Sequence, residues 1–107
     1  MTVNPQIFYP LNSTVISVTG LQDFLSGAYL DAATVAATLM DEKGNADPVI
    51  NSLPLTYIPA SNGNYQGIVP NTFNATVGSR YQLKITALQG LEQAVWTFDA
   101  AVRFRTQ

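Results

Sequence analysis

The sequence predicts an all-β protein, a two-sheet antiparallel β-sandwich of about seven strands, and three observations carry that expectation. Apolar residues recur with period two in several short stretches. Clusters of Gly, Pro, Asn and Asp separate those stretches, and no segment sustains the apolar spacing of a long amphipathic helix. With 107 residues there is room for one domain, large enough to hold a real core without metal or disulfide staples. Strands with one apolar face each need a second layer to cover that face, and a sandwich supplies it.

Taken in order, residues 1–12 form an N-terminal arm or irregular edge, because Pro5 and Pro10 deny the stretch TVNPQIFYPL a central strand position. Residues 13–107 form the sandwich domain. In it STVISV alternates apolar and hydroxyl residues as a first strand, and GLQDFLSGAYL, with Leu21, Phe24 and Leu25 between Gly20 and Gly27, fits a single helical turn or a structured loop. From Ala33 to Met40, Ala33, Val35, Ala37 and Leu39 share one face, and Thr and Val favour a strand over a helix. The chain turns at DEKGN and returns past Pro48. Leu53, Leu55 and Tyr57 alternate up to Pro59, and Asn62-Gly63 is the strongest local hairpin signal before Tyr65, Gly67 and Val69.

After the NTFNATVGS loop, RYQLKITA sets Tyr81, Leu83, Ile85 and Ala87 on one face. The last stretch, EQAVWTFDAAVRFRT, does the same with Ala94, Trp96, Phe98, Ala100, Val102 and Phe104, with a bend expected near Asp99. The expected core is therefore Val15 or the residues beside it, with Val35, Leu39, Leu55, Tyr57, Tyr65, Leu83, Ile85, Trp96, Phe98 and Val102. Trp96 does not make this an immunoglobulin domain proper, since the chain has no cysteine to build a Cys…Trp…Cys framework. The coarser reading, an immunoglobulin-like sandwich, stands.

Composition excludes several functions. The charged fraction is 11%, against roughly 25% in an average domain, so the surface leans on Ser, Thr, Asn and Gln. A net charge of -2 with 5 Lys+Arg lacks the electrostatic footprint of a nucleic-acid binder, and only Arg103 and Arg105 form a local basic pair. Without cysteine there is no disulfide, iron–sulfur cluster or thiol chemistry. The N-terminus has neither the basic nor the apolar region of an export signal, and no apolar run is long enough to span a membrane, so a soluble, complete chain is expected.

The densest chemical feature is DEKGNAD, residues 41–47, with three carboxylates. Asp41, Asn45 and Asp47 could offer oxygens to calcium, with Asp31 or Asp99 joining from elsewhere, but the spacing and closing Glu of an EF-hand are missing. A hairpin turn asks for less. Gly44 takes a positive φ, Asn45 caps the bend, and the charges keep it soluble. The chain has no histidine, hence no ordinary general base near neutral pH, and its remaining carboxylates, Asp23, Glu92 and those already named, are scattered. Serines and threonines lack a recognisable activating partner, and no phosphate-binding glycine loop occurs. No catalytic, cofactor-binding or metal-ligating residue is assigned.

The aromatics give two further expectations. Ile7, Phe8 and Tyr9, beside two prolines, either dock on another subunit or cover the open end of their own core. Tyr29, Tyr57, Tyr65 and Tyr81 offer a sugar-stacking surface, although tyrosines in strands are more often half-buried packing residues. Asn12 and Asn74 head N-x-S/T triplets, which matter only in a glycosylating compartment.

The stretches NSTVISVTGLQDFLSGAYLDAATVAATLMDEKGNAD, LPLTYIPASNGNYQGIVP and GSRYQLKITALQG resemble small immunoglobulin-like proteins of phage and prophage structural gene modules. They are also similar to sandwich modules with a strand, D-x-x-G-N, strand, G-x-Y rhythm, to which Asp41, Gly44, Asn45, Gly63 and Tyr65 correspond. The resemblance implies no catalytic residue. It implies a virion component that binds itself or another virion structural protein, in the particle or in the bacterial cytoplasm before assembly. The alternative is a carbohydrate- or peptide-binding module using loops 60–67 and 71–79.

Overall fold

The computed structural model describes residues 2–22 and 26–103, and every regular element in them is a strand. Phe24, Leu25, Phe104 and Arg105, which entered the expectations above, lie outside the described residues. The strands are β1 (Thr2–Asn4), β2 (Ile7–Phe8), β3 (Thr14–Thr19), β4 (Thr34–Met40), β5 (Leu53–Tyr57), β6 (Tyr65–Val69), β7 (Arg80–Gln89) and β8 (Glu92–Val102). They join in one sheet in the order β1-β3-β6-β5-β4-β7-β8-β2.

Among the described residues the protein is all-β, but the strands are eight in number and form one continuous mixed sheet rather than two separate antiparallel sheets of about seven strands. Two pairings account for the difference. β5 bonds β4 through Leu53, Pro54 and Leu55 and bonds β6 through Thr56 and Tyr57, so no break separates two layers. β2, drawn from the proline-broken N-terminus, lies parallel to β8, with Ile7 opposite Ala101 and Phe8 opposite Val102.

The sheet is curled. β1 and β2 stand at its two extremes, yet only Pro5 and Gln6 lie between them in the chain. Three residue steps span at most about 11 Å, so the two ends of the sheet must approach and the whole wraps around a single core as a half-barrel.

The inner face follows the period-two pattern. Val35, Ala37 and Leu39 of β4, Leu55 of β5, Tyr65 and Val69 of β6, and Tyr81, Leu83, Ile85 and Ala87 of β7 are buried, as is Val102 of β8. In β3 the inward residues are Ile16 and Val18, while Val15 points out. Val15 and Ile16 are both apolar, and only the same-side Val18 fixes the phase. Tyr57, Trp96 and Phe98 are half-buried and pack against this core. Val3, Phe8, Leu21, Ile50 and Phe73 complete it from short strands and loops where no periodicity marks them. Phe8 meets Phe73 edge-on, with ring centroids 6.0 Å apart. Thus Phe8 covers its own core rather than a neighbouring subunit, and only Ile7 of that pair of strand residues stays exposed. The β7–β8 register runs without interruption from Arg80↔Ala101 to Gln89↔Glu92, so no bulge or break in pairing falls near Asp99.

At Gly67 a β-carbon would stand 2.6 Å from a Leu55 methyl and 2.8 Å from the Pro54 carbonyl oxygen. The carbonyl belongs to the backbone of the adjoining strand and cannot swing aside. Gly67→Ala is expected to lower stability by about 1–3 kcal/mol, read as a reduced midpoint in urea unfolding with the slope unchanged.

Candidate functional site

Strand direction places the loops of the chain at two opposite ends of the sheet. One end gathers residues 41–52, 70–79 and 9–13, and the other gathers 20–33, 58–64 and the tip at 90–91. The seven-residue run of β4 separates Asp31 from Asp41 by about 20 Å. Asp31 therefore does not meet the carboxylates of DEKGNAD. The two loops expected to hold glycan or peptide, 60–67 and 71–79, also lie at opposite ends, while Tyr65, Gln66 and Gly67 belong to β6.

DEKGNAD folds as a tight turn. The Asp41 and Asn45 backbones bond at 3.0 Å, Gly44 N–H donates to the Asp41 carbonyl at 3.0 Å, and Gly44 has φ of 82°. Asp41 Oδ1 accepts from the amides of Lys43 and Asn45, both at 2.9 Å. Asp47 Oδ2 likewise accepts from Val49 at 2.8 Å and Ile50 at 2.9 Å, which fixes the irregular return segment that carries Ile50 into the core. Each carboxylate thus spends an oxygen on local backbone donors, as short polar side chains do at turns. Asp99 does reach this end, where it lines an open depression with Asp41, Glu42, Arg80 and Gln82. Glu42 accepts there from the Arg80 amide at 3.1 Å. Among the described residues no three His, Cys, Asp or Glu side chains are grouped to hold a metal ion.

At the other end the loops are pinned by polar bonds. Asp31 accepts from Gly63 N–H at 2.8 Å, Leu21 N–H donates to the Gly63 carbonyl at 2.9 Å, and Asn64 accepts from Gly20 N–H at 2.9 Å. Tyr65 reaches into the same loops from the core. Its hydroxyl donates to the Leu30 carbonyl at 2.6 Å and accepts from Ala33 N–H at 3.0 Å, and its ring lies 5.4 Å from that of Tyr57. Burial pushes the Tyr65 phenol above its ordinary value. The Ala33 amide works in the opposite direction, and the Asp31 charge adds to the rise. Tyr65 and Tyr81 are buried, so of the four tyrosines offered for sugar stacking only Tyr29 is exposed. Asn74 is exposed on its loop, whereas the Asn12 amide is tied to the Pro10 carbonyl at 2.8 Å.

The third surface is a sheet edge. Beyond β8 the sheet continues only through β2, which covers Ala101 and Val102, with Ala101 N–H donating to Gln6 at 2.9 Å and Arg103 N–H to Phe8 at 3.0 Å. From Gln93 to Asp99 no described strand lies outside β8. Protection of this edge is confined to its ends, where Asp99 carries a charge and residues 2–7 flank Phe98, while residues 93–98 contain no Pro, Lys or Gly and no bulge interrupts their register. Exposed apolar side chains gather beside it, namely Val95 on β8, Leu88 on β7 and Leu91 at the hairpin tip. Sequence reading found the strand but not the edge, because strand order is set by contacts distant in the chain.

Comparison with protein-family models, with curated proteins and with solved structures gives no match. Among the described residues, no helix is long and apolar enough to cross a membrane.

Two outcomes test these assignments. Asp41→Ala is expected to cost about 1 kcal/mol by releasing two turn amides, and to cost the same in calcium as in chelator. A loss that appears only with calcium present would contradict the turn. Tyr65→Phe is expected to cost about 1–2 kcal/mol near neutral pH, because the partly buried Leu30 carbonyl and Ala33 amide lose their partner. A phenol whose folded pKa is raised gives stability that is fully present below about pH 10 and is lost as pH rises through the folded value. The gap between wild type and Tyr65→Phe should therefore narrow in urea titrations above about pH 10.

Proposed function

We propose that this protein is a non-enzymatic structural or accessory component of a phage or prophage particle, working through protein–protein contacts. The open edge of β8 carries the reading. A row of unpaired backbone groups flanked by Val95, Leu88 and Leu91 fits a strand from another protein better than it fits a small molecule. Strand order supports the immunoglobulin-like part of the proposal. Taking β1-β3-β6-β5 as one half and β4-β7-β8 as the other reproduces the order of an immunoglobulin constant-type sandwich, here with β5 linking the halves. Burial of Tyr65 and Tyr81 weighs against the carbohydrate-binding alternative, which is left without a shared aromatic platform.

Mass spectrometry of gradient-purified particles made by the genome that encodes this chain tests the proposal. The chain is expected there in a fixed ratio to a major capsid or tail protein. Its recovery only in the soluble fraction would overturn the reading.

A further inference from the structure

We infer that the β8 edge pairs with the same edge of a second copy of this chain, antiparallel about a two-fold axis at Val95; this rests on the assembly reading above and names its partner. The backbone sets the bonding pattern. Ala101 and Arg103 turn their amides away from β7 toward β2, and the alternation of a regular strand gives the same outward direction to Gln93, Val95, Thr97 and Asp99. Water can solvate these groups one by one, whereas another strand pairs the whole row at once.

Length and charge select the partner. Among the described strands, β8 leaves the longest edge open, because β1 runs only Thr2–Asn4, β2 only Ile7–Phe8, β4 to β7 each have a strand on both sides, and β3 extends past β1 only over Thr14–Ile16. A head-to-tail match through β1 would leave most of the β8 edge unpaired, so a two-fold contact of β8 with itself is the closed solution. Asp99 is the charged residue of the open stretch 93–99. Antiparallel pairing through Val95 sets Gln93 of each copy opposite Thr97 of the other and keeps the two Asp99 carboxylates apart, whereas parallel in-register pairing would oppose them. The same register buries Val95, 48% exposed, against its counterpart. It also carries Leu91, fully exposed at the hairpin tip, toward Ile7, because β2 occupies the next stretch of the same lane.

Sedimentation of the full chain over a concentration series, with amide exchange followed in parallel, tests the pairing. The expected result is a monomer–dimer equilibrium in which the amides of Gln93, Val95, Thr97 and Asp99 gain protection with concentration, while those of Ala94 and Trp96 are protected throughout. Val95→Lys, which sets two lysines face to face at the axis, should weaken the dimer by at least about tenfold. Thr97→Pro, which removes an outward amide without touching the β7 ladder, should do the same. Ile68→Lys, on the outer face of β6, should leave association unchanged. A wild-type chain that stays monomeric, or a dimer that ignores Val95→Lys or is lost in Ile68→Lys, would overturn the pairing. Such a result together with the chain's presence in purified particles would fault the self-pairing alone. A Val95-dependent dimer that is absent from particles would support the pairing and fault the assembly role.

Discussion

Pro5 and Gln6 alone connect the two outermost strands of an eight-stranded sheet, and this short tether governs the rest of the architecture. A sheet with native twist has no inherent need to bring its edges together. Here the chain leaves β1 beside β3 and within three residue steps must be beside β8, so the edges meet and the inner face closes on itself. Phe8 then plugs the core from one edge and Val3 from the other. A domain this size with few charges and no cross-links draws its stability from that closure, because every inward side chain finds an apolar neighbour across the curl.

Closure also explains how the polar inventory is used. Side chains that carry charge or hydroxyl groups serve chiefly to fasten loops at the two ends of the half-barrel. Asp41 and Asp47 hold the turn after β4, Asp31 and Asn64 hold the opposite loops, and Tyr65 ties the core to residues 30 and 33. Among the described residues no buried side-chain nitrogen or oxygen lacks a hydrogen-bond partner. The acidic groups are thus largely occupied in holding shape, and the part of the surface left with unmet bonding capacity is main chain, at the β8 edge.

How much of this was legible in the sequence depends on the range of the interaction concerned. Strand β7 was readable because Tyr81, Leu83, Ile85 and Ala87 alternate without ambiguity, and DEKGNAD was readable as a turn because Asp and Gly act on amides a few residues away. Phase in β3 was harder, since Val15 and Ile16 are adjacent and equally apolar. Phe8, Ile50 and Phe73 escaped because burial in an irregular segment leaves no period to detect. The continuity of the sheet through β5 and the return of β2 to β8 were out of reach for a different reason. β2 and β8 stand almost at opposite ends of the described chain, and β5, although close in sequence to both its partners, divides its residues between β4 and β6 in a way that no local propensity encodes. The β8 edge, which follows from strand order, was hidden with them.

The pairing of β2 with β8 has a bearing on biosynthesis. Phe8 is synthesised well before its partner Val102, with five other strands made between the two elements that pair. Until β8 has been made, β2 has no strand beside it and one wall of the core is missing, so the strands made between them hold an apolar cleft open. Closure of the core follows β8 by geometry, and its speed then decides how long the same face can meet other nascent chains.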